Sequence, residues 1–132
     1  MTIDDSVKYI ILNATSKAFA TYGSAGINVV PVSSVQIIND TIWLIDYFMG
    51  KTSQHIQENP AVSLVCRKDM IWYQIKAQAT YVQTGADYEK ARDRAISLHP
   101  DRTVKGLIIL QPDMIYDIAP AKNTEAMVSG IL

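Results

Sequence analysis

The sequence has one cysteine and two histidines among its 132 residues. It contains no Cys-x-x-Cys pair, no His-x-x-x-His spacing, no Gly-x-Ser-x-Gly elbow and no glycine-rich phosphate loop. These absences argue against a disulfide scaffold, a zinc site and a hydrolytic triad. The lone thiol, Cys66, lies in the apolar run Val62–Cys66, which is typical of a small core residue in a reduced compartment.

The sequence also lacks an excess of charge of either sign and lacks long apolar runs. Twelve Lys and Arg residues are interspersed with thirteen Asp and Glu residues, for a net charge of −1, so we expect no nucleic-acid partner. No apolar stretch approaches the roughly 18 residues that span a bilayer, and the first residues have no cationic and apolar leader. We therefore expect a cytoplasmic protein without a membrane partner.

The sequence does have enough apolar residues to form one hydrophobic core. At 48% apolar residues in 132, we expect a single domain over residues 1–132. Helical spacing predicts helices near residues 5–16 and over Ala86–Leu98, where Tyr88, Ala91, Ala95 and Leu98 share a face. A short helix is predicted after Gly50 and ends before Pro60.

Extended segments alternate with turn residues along the rest of the chain. The predicted strands are Ala18–Tyr22, Ile27–Ile38, Thr41–Tyr47, Ala61–Lys68, Ile71–Val82, Gly106–Leu110 and Met114–Ile118. Pro112 marks a bulge or an edge, and the unbroken apolar run in Thr41–Tyr47 indicates a strand covered on both faces. The pattern predicts a mainly β protein: an antiparallel barrel of six or seven strands with peripheral helices.

One candidate binding segment runs from Leu44 to Gln54. A buried strand ends there, the chain turns at Gly50, and a lysine and two hydroxyl residues stand where a helix begins. Lys51, Thr52, Ser53 and the helix N-terminus could together hold one phosphate group. Alternatively, Thr52 or Ser53 caps the helix and Lys51 is solvated.

The second candidate segment is Asn28–Val35, in which Pro31 removes a strand donor and Ser33 and Ser34 interrupt an aliphatic run. Backbone polar groups beside small and apolar side chains suit the edge of a flat heteroaromatic ring. A polar outer face on an edge strand is the alternative. The two histidines, His55 and His99, are interpreted as residues of helix surfaces.

The order of these features resembles the FMN-binding split-barrel proteins of the pyridoxamine 5′-phosphate oxidase-like superfamily, and its small single-domain flavin-nucleotide-binding members especially. The resemblance runs from about Ser16 to Pro120. It rests on Ala18–Gly23 followed by Gly26–Pro31, on Asp46-Tyr47, on Gly50–Ser53 with the stop at Glu58–Pro60, and on Ile75–Gly85 before a helix.

The resemblance implies an antiparallel split barrel that binds FMN. It implies that Lys51 and Thr52, helped by Ser53, hold the phosphate. It places Val32, Ser33 and Ser34 beside the isoalloxazine, which Asp46 and Tyr47 face. It also implies a homodimer with the flavin site at the subunit interface, where Trp72 or Tyr73 could complete the partner's site.

The sequence departs from that family at three places. Gln54-His55 stands where relatives often have an asparagine, Gly50 replaces a larger polar residue, and the Arg- and Trp-rich C-terminal segment of true pyridoxamine phosphate oxidases is missing. The expected function is therefore a small flavin-dependent oxidoreductase or flavin reductase that uses a small-molecule substrate or electron donor. The alternatives are a non-catalytic flavin carrier, electron-transfer protein or sensor, and a barrel that binds haem or a deazaflavin. We also expect the apolar tail, with Ala126, Met127, Val128, Ile131 and Leu132, to dock on the protein.

Overall fold

The computed structural model describes residues 1–120 and 126–130, which form three helices and eight strands. The helices are α1 (Asp5–Asn13), α2 (Gly50–Glu58) and α3 (Ala86–Leu98). The strands are β1 (Ser16–Gly23), β2 (Gly26–Pro31), β3 (Val35–Ile38), β4 (Thr41–Asp46), β5 (Ala61–Lys68), β6 (Ile71–Val82), β7 (Gly106–Asp117) and β8 (Ala126–Gly130).

All strand pairings are antiparallel, and the sheet follows the order β2-β1-β5-β6-β7-β4-β3, with β8 beside the second half of β7. The edge strands β2 and β3 are joined only by residues 32–34. Such a link spans at most about 14 Å between its flanking residues, so the sheet must curl until its two edges approach. The result is an open antiparallel barrel, which confirms the predicted mainly β class.

The number of strands was wrong, because eight form where six or seven were predicted. One additional strand is β8, which lies in the tail and pairs with β7 through residues 126–130. Ile131 and Leu132, the other tail residues expected to dock, lie outside the described residues.

Two predicted segment divisions were also wrong. Ile27–Ile38 is two strands, β2 and β3, because the chain crosses from one sheet edge to the other between them. Gly106–Leu110 and Met114–Ile118 are one strand, β7, because a register irregularity opposite Lys76 and Ala77 accommodates Pro112. The first helix ends at Asn13, short of residue 16, since Ser16 already pairs with Arg67 in the sheet.

The core has two parts, one on each face of β4. Ile42 and Leu44 point into the barrel, together with Phe19, Leu64 and Ile75. On the opposite face, Trp43 and Ile45 pack with the cluster that Ala91 and Ala95 of α3 join. Strand β4 is thus covered on both faces, as its unbroken apolar run predicted. Leu98 does not belong to the buried face of α3 as predicted, because its side chain is exposed.

None of the helices within residues 1–120 and 126–130 is long and apolar enough to cross a membrane.

Candidate functional site

A cavity of about 290 Å³ opens between the end of β2 and the end of β4. It is lined by Val30, Pro31, Val32, Ser33, Ile45, Tyr47, Phe48 and Met49. The two segments singled out in the sequence therefore meet, although β2 and β4 are not neighbours in the sheet. The walls are mostly apolar, with Ser33 and Tyr47 as the two hydroxyl-bearing residues, a composition that suits a planar organic ligand.

Helix α2 begins at the margin of this cavity. Met49 lines the cavity and is also the residue before the first turn, and Lys51 follows with an exposed side chain. Within the described residues, the backbone N–H groups of Lys51 and Thr52 have no hydrogen-bond acceptor outside the helix. The N-terminus of a helix carries partial positive charge and free donors, so this margin of the cavity favours an anion.

Two further cations flank the aromatic residues of the cavity. The Arg102 guanidinium lies 5.0 Å from the centre of the Tyr47 ring, and the Lys105 ammonium lies 6.0 Å from that of Phe48. The side chain of Phe48 is 81% exposed. Two of the aromatic residues that line the cavity thus each have a cation beside the ring, a pairing that composition alone did not predict.

The structure brings only some of the predicted site residues to the cavity. Val32, Ser33 and Tyr47 line it. Ser34 instead faces a separate small depression beside Trp43, Ala91 and Arg94 on the α3 side of the sheet. The hydroxyl of Tyr47 is buried and has no hydrogen-bond partner among the described residues.

Asp46 lies beneath the turn from β4 into α2. Its side chain is 1% exposed, and its carboxylate accepts hydrogen bonds from the Met49 backbone N–H at 2.6 Å and from the Tyr81 hydroxyl at 2.5 Å. Burial, with the Asp46 carboxylate next in importance, raises the pKa of Tyr81 above its ordinary value. Gly106 permits this arrangement, since a Cβ atom there would lie 2.5 Å from the Tyr81 hydroxyl.

Neither Thr52 nor Ser53 caps α2, so the capping alternative was wrong. The residue before the first turn is Met49, and no side chain caps it. Thr52 is 1% exposed, and its hydroxyl accepts a hydrogen bond from the Asn28 amide at 3.0 Å. The Ser53 hydroxyl donates to the Gly50 carbonyl at 3.1 Å.

His55 was wrongly predicted to lie on the helix surface. Its side chain is 2% exposed, and its Nδ1 lies 3.2 Å from the Thr21 hydroxyl. The other ring nitrogen, Nε2, is buried without a partner in the described part of the chain. The prediction failed because the mean polarity of α2 hides a face that packs on the β1–β2 hairpin. His99, by contrast, ends α3 and is half-buried.

Sequence reasoning missed Asn28, Phe48, Tyr81 and Arg102. Asn28 did carry a signal, because a single amide inside a Val and Ile strand usually has a hydrogen-bond partner. Tyr81 lies within the predicted strand Ile71–Val82, and nothing in its local pattern indicates a bond to Asp46, 35 residues away. Phe48 and Arg102 lie in loops, where periodicity gives no information.

The amino-acid sequence matches the family profile described as pyridoxamine 5′-phosphate oxidase over residues 3–122. An uncharacterised protein of Methanocaldococcus jannaschii is 28% identical over 116 residues, which cover 83% of this chain and 77% of that protein.

Solved structures resemble the fold along most of the chain. HupZ of Group A Streptococcus superposes with a TM-score of 0.81 at 22% identity, covering 97% of this chain and 100% of that one. An FMN-binding protein from Syntrophomonas wolfei superposes with a TM-score of 0.70 at 16% identity, covering 83% of this chain and 80% of that one. HutZ, a haem storage protein from Vibrio cholerae, superposes with a TM-score of 0.67 at 14% identity, covering 89% of this chain and 95% of that one. At these identities the likeness shows the fold alone.

Proposed function

The chain belongs to the pyridoxamine 5′-phosphate oxidase family, and from that premise we propose that it binds FMN. The isoalloxazine would occupy the cavity beside Val32, Ser33 and Tyr47. The phosphate would lie at the start of α2. The observation that carries the proposal is the position of the cavity, which adjoins the α2 N-terminus through Met49, two residues before Lys51.

The residues present fit the two chemically different ends of this cofactor. Apolar side chains and the Ser33 hydroxyl offer a ring both a surface and a polar contact. Lys51 supplies the full positive charge that a phosphate dianion requires, and the backbone N–H groups of Lys51 and Thr52 supply donors. Because the Thr52 hydroxyl is bonded to Asn28, Thr52 contributes its N–H group, and the half-buried Ser53 stands next to it.

We assign Ser34 and Asp46 less direct roles beside the flavin ring than the family resemblance implies. Ser34 points to the α3 side of the sheet, so its contact with the ring would be through the backbone. Asp46 would act from below the cavity, since its carboxylate already holds Met49 and Tyr81 in place. A buried carboxylate there opposes additional negative charge on a bound flavin.

Bound FMN would supply hydride or electron transfer, and the protein would bind and orient it. We infer a small flavin-dependent oxidoreductase or flavin reductase. The alternative is a non-catalytic flavin carrier, electron-transfer protein or sensor. Oxidation of NADH or NADPH by the FMN-loaded protein, followed as the loss of absorbance of the reduced nicotinamide, distinguishes turnover from storage.

We further propose that the protein is a homodimer whose interface completes the flavin site. A cavity of about 290 Å³ is at the lower limit of pockets for drug-sized ligands, about 300–1,000 Å³, so one subunit encloses only part of FMN. The outer face of the β1–β2 hairpin exposes Tyr22, Ile27 and Val29. Next to these residues lies a second, apolar cavity of about 310 Å³. Such a continuous apolar surface is typical of an interface.

Haem binding, suggested by the likeness of the fold to HutZ, has less support from the side chains. A haem iron needs an accessible axial ligand. His55 is buried against Thr21, and His99 lies at the end of α3. A hemin titration that gives a Soret shift lost in His99→Ala would favour haem over flavin.

The proposal is tested with FMN and the Lys51→Ala variant. Loss of one charge-assisted contact to a phosphate costs about 1.5–3 kcal/mol, or about tenfold to more than a hundredfold in Kd. The flavin fluorescence titration should show this weakening, while the free energy of unfolding changes by less than about 0.5 kcal/mol because Lys51 is exposed.

Lys90→Ala is the matched control, since Lys90 is also an exposed helix lysine and lies on α3. It should bind FMN as the wild type does. Equal affinities of Lys51→Ala and the wild type would contradict the assignment of the phosphate to α2.

A further inference from the structure

We propose that Asn28, on β2, is a positioning residue that fixes the start of α2 for the phosphate of the ligand. This inference rests on the proposed function and adds to it a residue outside the predicted site. It follows from the way in which the β1–β2 hairpin holds α2.

One face of α2 is bonded to the hairpin along its whole length. Thr52, His55 and Glu58 are spaced three residues apart and therefore share a face of the helix. Asn28 donates to Thr52 at 3.0 Å, Thr21 lies 3.2 Å from His55, and Ser24 donates to Glu58 through its N–H at 2.7 Å and its hydroxyl at 2.9 Å. Each part of the helix thus has its own contact with the hairpin.

The hairpin is a suitable support because its own geometry is fixed by pairing. Thr21 and Asn28 face each other in the β1–β2 register, so the contacts to His55 and Thr52 come from one rung of the ladder. Gly23 lets the helix approach closely, since a Cβ atom there would overlap the His55 ring and lie 2.5 Å from Glu58 Oε2. The position of α2 is therefore set relative to this rung.

Among the three contacts, only that of Asn28 reaches the first turn. Thr52 is the third residue of α2 and follows Lys51 directly. Its side chain is buried, so the Asn28 amide replaces the water that would otherwise satisfy the hydroxyl. Removing the Asn28 side chain leaves the buried Thr52 hydroxyl without its donor. The first turn of α2 must then move, or water must enter to bind this hydroxyl.

The ring end of the site has different supports. Val32, Ser33 and Tyr47 are held by the strand ends and by Asp46 through Met49. Loss of the Asn28 contact should therefore displace the phosphate-binding groups and leave the cavity walls in place. This predicts a selective effect on ligands that carry a phosphate.

The experiment compares FMN with riboflavin, which has the same ring and no phosphate, in fluorescence titrations of the full chain. In Asn28→Ala the affinity for FMN should fall about fivefold to tenfold, the range expected for one lost hydrogen bond. The affinity for riboflavin should change by less than about twofold. Asn13→Ala, which removes an amide bonded to Tyr9 in α1, is the matched control and should change neither.

Thr52→Val breaks the same hydrogen bond from the other side and is nearly isosteric, so it decides the question if Asn28→Ala does not fold. The double variant should lose no more FMN affinity than either single variant, because the two residues act through one contact. A merely structural role would weaken FMN and riboflavin equally.

Equal weakening of the two flavins, or an unchanged affinity for FMN, would overturn the role of Asn28. If the wild type binds neither flavin, the proposed function itself fails. The two failures are therefore distinguishable, because only the second appears in the wild-type titrations.

Discussion

At the scale of single residues, buried polar groups determine how the chain turns from β4 into α2. Asp46 accepts one hydrogen bond from the backbone of Met49 and one from the Tyr81 hydroxyl. The first bond fixes the turn, and the second ties it to β6. A buried carboxylate is stabilised by the hydrogen bonds it accepts, and loss of one donor leaves one of its oxygen atoms without a partner, which costs free energy of folding.

Cys66 provides a residue-scale prediction. It is fully buried, and desolvation raises the pKa of its thiol from 9.0 to about 12. Because the folded state holds this proton more tightly than the unfolded state, the stability linked to it is complete below about pH 9 and is lost as the pH rises toward 12. The native thiol should also react slowly with iodoacetamide, since thiolate is the reactive form.

Cys66→Ala is the control for this pH dependence. Urea unfolding at several pH values should show the difference in free energy of unfolding between wild type and variant shrinking above about pH 9. A constant difference up to pH 11 or so would contradict the raised pKa.

Single residues also show which buried positions a sequence can predict and which it cannot. The core position of Cys66 was predicted correctly from the apolar run around it. The burial of His55 was not, because its partner Thr21 lies 34 residues earlier and no local pattern connects them. A separation of 24 residues likewise hid the bond between Asn28 and Thr52.

At the scale of elements, α2 depends on the hairpin for its position. Its C-terminal end is held by Glu58, whose pKa stays below its ordinary value because the Ser24 backbone N–H and hydroxyl donate to the carboxylate. Its middle is held by His55, and its start by Thr52. A short polar helix has little stability of its own, so these contacts decide where it lies.

Gly23→Ala tests this dependence. The added Cβ would overlap the His55 ring and crowd Glu58, so the helix must shift. Overpacking of this kind destabilises by about 1–3 kcal/mol, which thermal or urea unfolding can measure. Gly50→Ala is the control, because a Cβ atom at Gly50 meets nothing within 4 Å. That change should be neutral or stabilise by up to about 1 kcal/mol. Equal stability of the two variants would contradict the close packing at Gly23.

The elements that were predicted correctly have strong local patterns. The bounds of β5, β6 and α3 agree with the prediction, since alternation and helical spacing persist over many residues in each. The division of Ile27–Ile38 into two strands was not predictable in this way. It results from the closure of the sheet, which is a property of the whole chain.

At the scale of the whole molecule, the proposed homodimer rests on the size of the cavity and on the apolar outer face of the hairpin. The proposed homodimer can be tested with Ile27→Lys, because Ile27 is 78% exposed and lies beside the second cavity. Light scattering after gel filtration should give a dimer for the wild type and a monomer for this variant, since a buried unpaired charge is costly.

Leu98→Lys is the matched control for the interface. Leu98 is also an exposed apolar residue, but it lies at the end of α3, away from the hairpin. This variant should remain a dimer. A monomeric wild type, or dissociation by Leu98→Lys alone, would contradict an interface on the hairpin.

The central claim is that the chain binds FMN with the phosphate at the start of α2. The most direct measurement is a titration of the wild-type protein with FMN, followed by the absorbance and fluorescence of the flavin. We predict saturable binding with one FMN per subunit, and tighter binding of FMN than of riboflavin because of the contacts at Lys51. Flavin spectra that stay unchanged on addition of the protein would contradict the claim.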